Sequence, residues 1–251
     1  MGMRRHAVNR GEKIVAEQRA LLAALSDDLT LPLLQIKTTL ELIEQEKFSR
    51  ATLQQRSNSM SMSADIGLQM IEAYRLALRL GHENELFMEP VSIGAVLSDV
   101  AHELSPYAKE YTTQLTVDVQ GKFTPVLAHR AGLMAALQCL GASLIRAQAA
   151  QGLAQDKLQL VLGAHRSADQ SIATGAFSSI HHLSDRTLRA ARSLIGQARQ
   201  PLPNMPAGAA SGVLIADMLC SSMWQPLRAS AHRNMGGLAT SIPISKQLQF
   251  I

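Results

Sequence analysis

The amino-acid sequence predicts an α+β protein in two parts. An antiparallel helical hairpin over residues 1–88, closed into a four-helix bundle by a second copy, precedes a two-layer α/β sandwich over residues 89–251. Three observations predict this. Apolar residues in the first part recur at heptad-like steps. Pro90 marks a change of character, after which helix-period and strand-period segments mix to the end of the chain. With apolar residues at 47% and charged residues at 18%, a packed core is within reach.

The first helical segment carries Leu22, Leu25, Leu29, Ile36, Leu40 and Ile43 at steps of three, four or seven. The second carries Met60, Ala64, Gly67, Ile71, Tyr74 and Leu78. The linker Glu46-Lys47-Phe48-Ser49-Arg50 is short, and short connections make antiparallel neighbours. One hairpin alone exposes an apolar seam, and a twofold copy would bury it, so a homodimer is expected. Pro32 should kink the first helix, because it lacks an N–H.

Beyond Pro90, Val91–Leu104 has a helical apolar face of Ile93, Val96, Leu97, Val100, Ala101 and Leu104. Leu115–Val119 alternates as a strand does, and Ala131–Ala150 is an Ala/Leu helix. Lys157–Ala164 and Ser171–Phe177 read as strands and Thr187–Arg199 as a basic helix. Gln200–Ser211, rich in Pro, Gly and Ala, reads as a loop, Val213–Trp224 as a helix and Leu238–Pro243 as a closing strand.

Composition excludes several classes. The net charge of +4 is mild, and no aromatic stacking residues accompany the arginines, so no nucleic-acid partner is expected. No apolar run approaches the ~20 residues that span a bilayer, and the basic N-terminus lacks the apolar core of a signal peptide. A soluble, cytoplasmic protein with no membrane partner is expected. Cys139 and Cys220 lie in apolar segments without CxxC spacing and read as free thiols.

The segment Ser26-Asp27-Asp28-Leu29-Thr30-Leu31-Pro32-Leu33 is similar to the phosphoacceptor box Ser-His-Glu-Leu-Arg-Thr-Pro-Leu of sensor histidine kinase transmitters. Glu89-Pro90-Val91-Ser92-Ile93 resembles the junction between that family's hairpin and its ATP-binding domain. Pro125–Arg130, before the helix Leu133–Ala147, resembles the approach to the asparagine-bearing N-box. Ser211-Gly212-Val213-Leu214-Ile215-Ala216 is similar to the second glycine box, and Gly236–Pro243 to the strand that closes the sheet. The resemblance runs from about residue 11 to the C-terminus. It implies a dimerisation and phosphotransfer hairpin followed by the ATPase domain shared with gyrase.

Against that pattern the sequence departs at the positions that carry chemistry. Asp27 takes the place of the phosphoacceptor histidine, while Asp28 keeps the acidic neighbour. Leu31 stands where the family's phosphatase residue positions water, and Thr30 is one residue off. Ser143 aligns with the asparagine that holds magnesium. Where the adenine-binding Asp-x-Gly-x-Gly box belongs, the chain reads Ala176-Phe177-Ser178-Ser179-Ile180-His181-His182. Of the second glycine box, Gly212 stays in register.

The expectation that follows is a degenerate, catalytically inactive member that is not an enzyme, with no catalytic residues, no cofactor and no metal. It would act as a dimeric scaffold or regulator that binds a response-regulator receiver domain or another histidine kinase. Docking would use Asp27, Asp28 and Thr30, together with Arg186, Arg189 and Arg192, which share a helix face by steps of three. The alternatives are a histidine-phosphotransferase-like relay protein and a divergent active kinase. Only about ten residues precede the hairpin, so no sensor domain is expected there. His181-His182 lacks a third metal ligand, and His102, His129, His165 and His232 read as isolated surface or cap residues.

Overall fold

The computed structural model describes residues 26, 29–30, 32–44, 48–80, 87–149, 158–167, 171–178, 188, 207–223 and 226–244. The chain divides into two compact units, Met1–Arg75 and Leu76–Ile251.

In the first unit, α1 (32–44) and α2 (Arg50–Leu80, which from Leu76 on is counted with the second unit) form an antiparallel pair. Ser63 Oγ on α2 donates to Gln35 Oε1 on α1 at 3.2 Å. One turn further along α2, a Cβ added at Gly67 would lie 3.6 Å from Leu29 and 4.0 Å from Pro32, ordinary contact distances that place α2 against α1 there. Ser49 starts α2, its Oγ accepting the Thr52 N–H at 3.2 Å. The Arg56 guanidinium lies over the Phe48 ring, 4.5 Å from its centroid. Burial is incomplete along the hairpin: Leu33, Leu34, Leu40, Leu42, Leu53, Leu68 and Ile71 remain between 37% and 61% exposed.

The second unit is a helical layer on a five-stranded sheet. Its elements are β1 (Glu89–Val91), α3 (Ile93–Glu110), β2 (Gln114–Gln120), β3 (Val126–Ala128), α4 (Arg130–Ala149), β4 (Gln159–Arg166), β5 (Ile172–Ser178), α5 (Ala207–Met223), β6 (Arg228–His232) and β7 (Met235–Ile242). The sheet order is β2-β4-β5-β7-β6, while β1 and β3 pair separately. Only β2–β4 is a parallel pair within the five strands.

Local sequence sets these elements. Ser92 caps α3 by accepting the Ala95 N–H, and Ile93, Val96, Leu97, Val100 and Leu104 are buried beneath it. The helix outruns its expected end and passes Pro106, because Tyr107 and Ala108 still bury an apolar face in the last turn. α4 is buried on several sides, which its Ala, Gly and Leu content permits. Its Gly141 has no room for a Cβ, which would lie 2.6 Å from Leu104 of α3 and 3.8 Å from Leu160 of the sheet. α5 starts at Ala207, inside the segment expected to be a loop. Gly208 there disfavours helix, but Ala207, Ala209 and Ala210 favour it, and the helix of which they form the first turn is anchored by buried Val213, Ile215, Ala216 and Leu219.

Leu160, Leu162, Ala164, Ile172, Ala176, Leu238 and Ile242 are fully buried in the sheet, and Leu160 and Leu162 face α4. The opposite face carries Val161, Ala173, Phe177 and Ala239, packed with Met235.

Candidate functional site

Of the residues picked out by sequence, Asp27, Asp28, Arg186, Arg189 and Arg192 lie outside the described residues. Thr30 is described and exposed, and its hydroxyl donates to the Ser26 carbonyl at 3.0 Å. That hydroxyl is thus occupied by its own helix backbone.

Ser143 and Gly212 are brought together where α4 meets α5. A Cβ added at Gly212 would lie 2.2 Å from Ser143 Oγ and 3.0 Å from the Cys139 carbonyl. Ser143 is 0% exposed, and its Oγ has no hydrogen-bond partner among the described residues. The oxygen that the resemblance would place on magnesium therefore faces a close helix–helix contact. Five residues on, Gln148 is also fully buried, and its amide donates to Ser178 Oγ at 2.5 Å and to the Gln159 carbonyl at 2.9 Å. Ser178 stands at the strand end where the adenine-binding acid is expected, and it is tied to α4. The residues at these positions do not fit a magnesium nucleotide.

This packing has a consequence. Gly212→Ala should lower stability by about 1–2 kcal/mol, since the added methyl overlaps Ser143. Ser143→Ala alone should be close to neutral, because it removes a buried hydroxyl that makes no bond. The double variant should recover part of the loss, a coupling read directly from urea unfolding midpoints.

Asp217, one of the few acids in the C-terminal part, is buried, and its Oδ1 accepts the Leu227 N–H at 2.8 Å as the chain enters β6. Burial, with Asp217 nearby, pushes the Cys220 thiol up to about 12, which leaves it a packing group and not a nucleophile. Both cysteines are free thiols, as expected. His129 is a cap, its Nδ1 accepting the Gly132 N–H at 3.0 Å.

The expectation fails at His165 and His232. His232 is buried, its Nε2 lies 2.8 Å from Asp118 Oδ2, and its Nδ1 lies 3.1 Å from His165 Nδ1. Arg233 adds two contacts to Asp118, at 2.7 Å to Oδ2 and 2.9 Å to Oδ1. Phe177 stacks on His232 with centroids 5.0 Å apart. These groups are distant in sequence, and β6 was not expected as a strand, so their meeting had no local signal. Among the described residues no three metal-ligating side chains converge. Asp118 and His165 bond opposite nitrogens of the His232 ring, which keeps them from sharing one ion.

No protein-family model and no curated protein sequence matches the chain. Solved structures do share its fold. Full-length ShkA in complex with AMPPNP is similar at a TM-score of 0.52 and 14% identity, over 93% of this chain and 46% of ShkA. The histidine kinase ThkA, solved with the response regulator protein TrrA, is similar at 0.50 and 9% identity, over 90% of this chain and 61% of ThkA. The chain thus spans about half of one structure and three fifths of the other. The fold is histidine-kinase-like, as the resemblance implied.

One expectation is overturned by this. The chain was expected not to be an enzyme, but histidine kinases such as ThkA, which are enzymes, share its fold, and that expectation does not stand. The inference had rested on side-chain identities at single aligned positions. Such positions do not report on chemistry carried by other residues of the same scaffold.

Proposed function

We propose, for a chain built on the histidine-kinase fold, a signalling protein of the two-component kind that works as a homodimer and engages the receiver domain of a response regulator. The observation that carries the dimer is the run of exposed apolar residues on the hairpin: Leu33, Leu34, Leu40 and Leu42 on α1, and Leu53, Leu68 and Ile71 on α2. A solvated hairpin of this length gains by burying such a surface against a copy of itself, at about 25 cal/mol for each Å² covered. The wild type should therefore scatter light as twice 27.1 kDa and Leu68→Glu as 27.1 kDa; a wild type of 27.1 kDa would contradict the dimer, and a variant still at twice that mass would contradict this seam.

The receiver as partner rests on the fold shared with ThkA, which was solved with its response regulator. The proposed docking residues are Asp27, Asp28 and Thr30 on the hairpin, with Arg186, Arg189 and Arg192 as a second, basic surface. The reaction class to which the fold points is phosphoryl transfer. Among the described residues no helix is long and apolar enough to cross a membrane.

The test is incubation with labelled ATP and, separately, with a receiver carrying labelled phosphate. Label reaching this chain supports transfer, and a receiver retained without label movement supports recognition. The absence of both events across a panel of receiver domains overturns the reading. A relay that only passes phosphate is the second reading. It is favoured by Ser143, whose buried oxygen offers nothing to a nucleotide, and it predicts label from the receiver but not from ATP.

A further inference from the structure

The sheet order places β6 and β2 at opposite edges, with β4, β5 and β7 between them. Yet His232, the last residue of β6, meets Asp118 of β2. The tip of the β6–β7 hairpin is therefore folded across the outer face of the sheet and fastened on its far side. Gly163 of β4 makes room for it: a Cβ there would lie 3.0 Å from the His232 ring and 3.0 Å from Phe177. Arg233 completes the turn at φ 53, a left-handed conformation that a non-glycine residue adopts only when its surroundings hold it. Its guanidinium is held by Asp118.

We propose that this hairpin is a proton-operated latch, closed while the His165 and His232 rings share at most one proton beyond their neutral state and released when both become imidazolium. The hydrogen-bond chain sets the rule. With both rings neutral, His232 Nε2–H donates to Asp118, and His165 Nδ1–H donates to the bare Nδ1 of His232. With one added proton, His232 donates from both nitrogens, to Asp118 and to His165. A second proton leaves two N–H groups facing each other across 3.1 Å with no acceptor between them.

The surroundings offer little to offset that second charge. Among the described residues, β2 supplies Asp118, which Arg233 already neutralises, and Gln120, which donates to Asp118 at 3.5 Å. β5 supplies Phe177 and β7 supplies Met235, neither of which carries charge. Burial, and then the His232 imidazole, hold His165 below the usual histidine range. A base held low in the folded state binds fewer protons there than when unfolded. The latch is thus intact above the ordinary histidine value of about 6.5 and weakens as pH falls through the lower, folded value.

The experiment is hydrogen–deuterium exchange of the full-length protein from pH 8 to pH 5, with rates corrected for intrinsic exchange. Residues 228–242 of the wild type should lose about ten-fold in protection over this range, while α4 stays constant. His165→Gln, which retains an amide donor but takes no proton, should flatten the pH dependence. Protection at 228–242 that is independent of pH, or that falls equally in His165→Gln, overturns the latch. Imidazole NMR of the wild type gives a reading independent of any variant. His165 should take up its proton below the ordinary histidine range, in step with the loss of protection, and a His165 titration at the ordinary value contradicts it.

Discussion

Gly175→Val is expected to destabilise the second unit by at least about 3 kcal/mol, a large share of the 5–15 kcal/mol that holds an ordinary domain together. Even the first carbon of a side chain has no place at this position. An added Cβ would sit 2.0 Å from the Leu238 carbonyl oxygen and 2.7 Å from the Ala239 Cα, both in the backbone of β7. The relation is reciprocal, since a Cβ at Gly237 of β7 would sit 2.2 Å from the Ala176 carbonyl of β5. The obstacle is backbone on both sides, so no rotamer change relieves it, and the strands must separate at the centre of the sheet. Gly94→Ala is the matched control. Nothing lies within 4 Å of its added Cβ, and as a helical position it should gain a few tenths of a kcal/mol. Urea midpoints by circular dichroism compare the two, and equal midpoints would contradict the close approach of β5 and β7.

Asp118→Ala should cost about 2–3 kcal/mol at neutral pH. It strips the acceptor from a buried imidazole and the counter-charge from Arg233 in one change. Asp118→Asn keeps an acceptor and should cost less. The sign of the acid dependence is fixed by the carboxyl. Burial pushes Asp118 up, but the hydrogen bond from His232 and the charge of Arg233 outweigh it and hold the carboxyl below the usual range. An acid held low contributes stability that is present above its unfolded value of about 3.9 and is lost as pH falls through the lower, folded value. Melting of wild type and Asp118→Ala should therefore differ at pH 7 and converge in strong acid, and a constant gap would contradict the assignment.

The regular elements were legible because their signals are local. β2, α4, β5 and β7 fall close to where alternation or Ala/Leu content put them. α3 outran its expected end and α5 began early, because packing carried a helix through Pro106 in one case and through Ala207–Ser211 in the other. The His165–His232–Asp118 cluster gave no signal at its own three positions. Its members lie 67 and 114 residues apart along the chain, and each alone reads as an ordinary surface polar residue. A hint was present in Gly163, a glycine inside an apolar strand, which marks a place where another group comes close. The reading of Ser143 and Gly212 came through resemblance, and the structure shows what alignment could not, that the two meet each other. Inactivity was inferred from the same aligned positions, and the shared fold overturned it.

The most direct test of a dimeric receiver-binding protein is calorimetric titration of the full-length chain with a receiver domain. The account predicts saturable binding at one receiver per protomer, weakened at least about ten-fold by Asp27→Lys combined with Asp28→Lys. Heat that never saturates, or an affinity that the double charge reversal leaves unchanged, would contradict it.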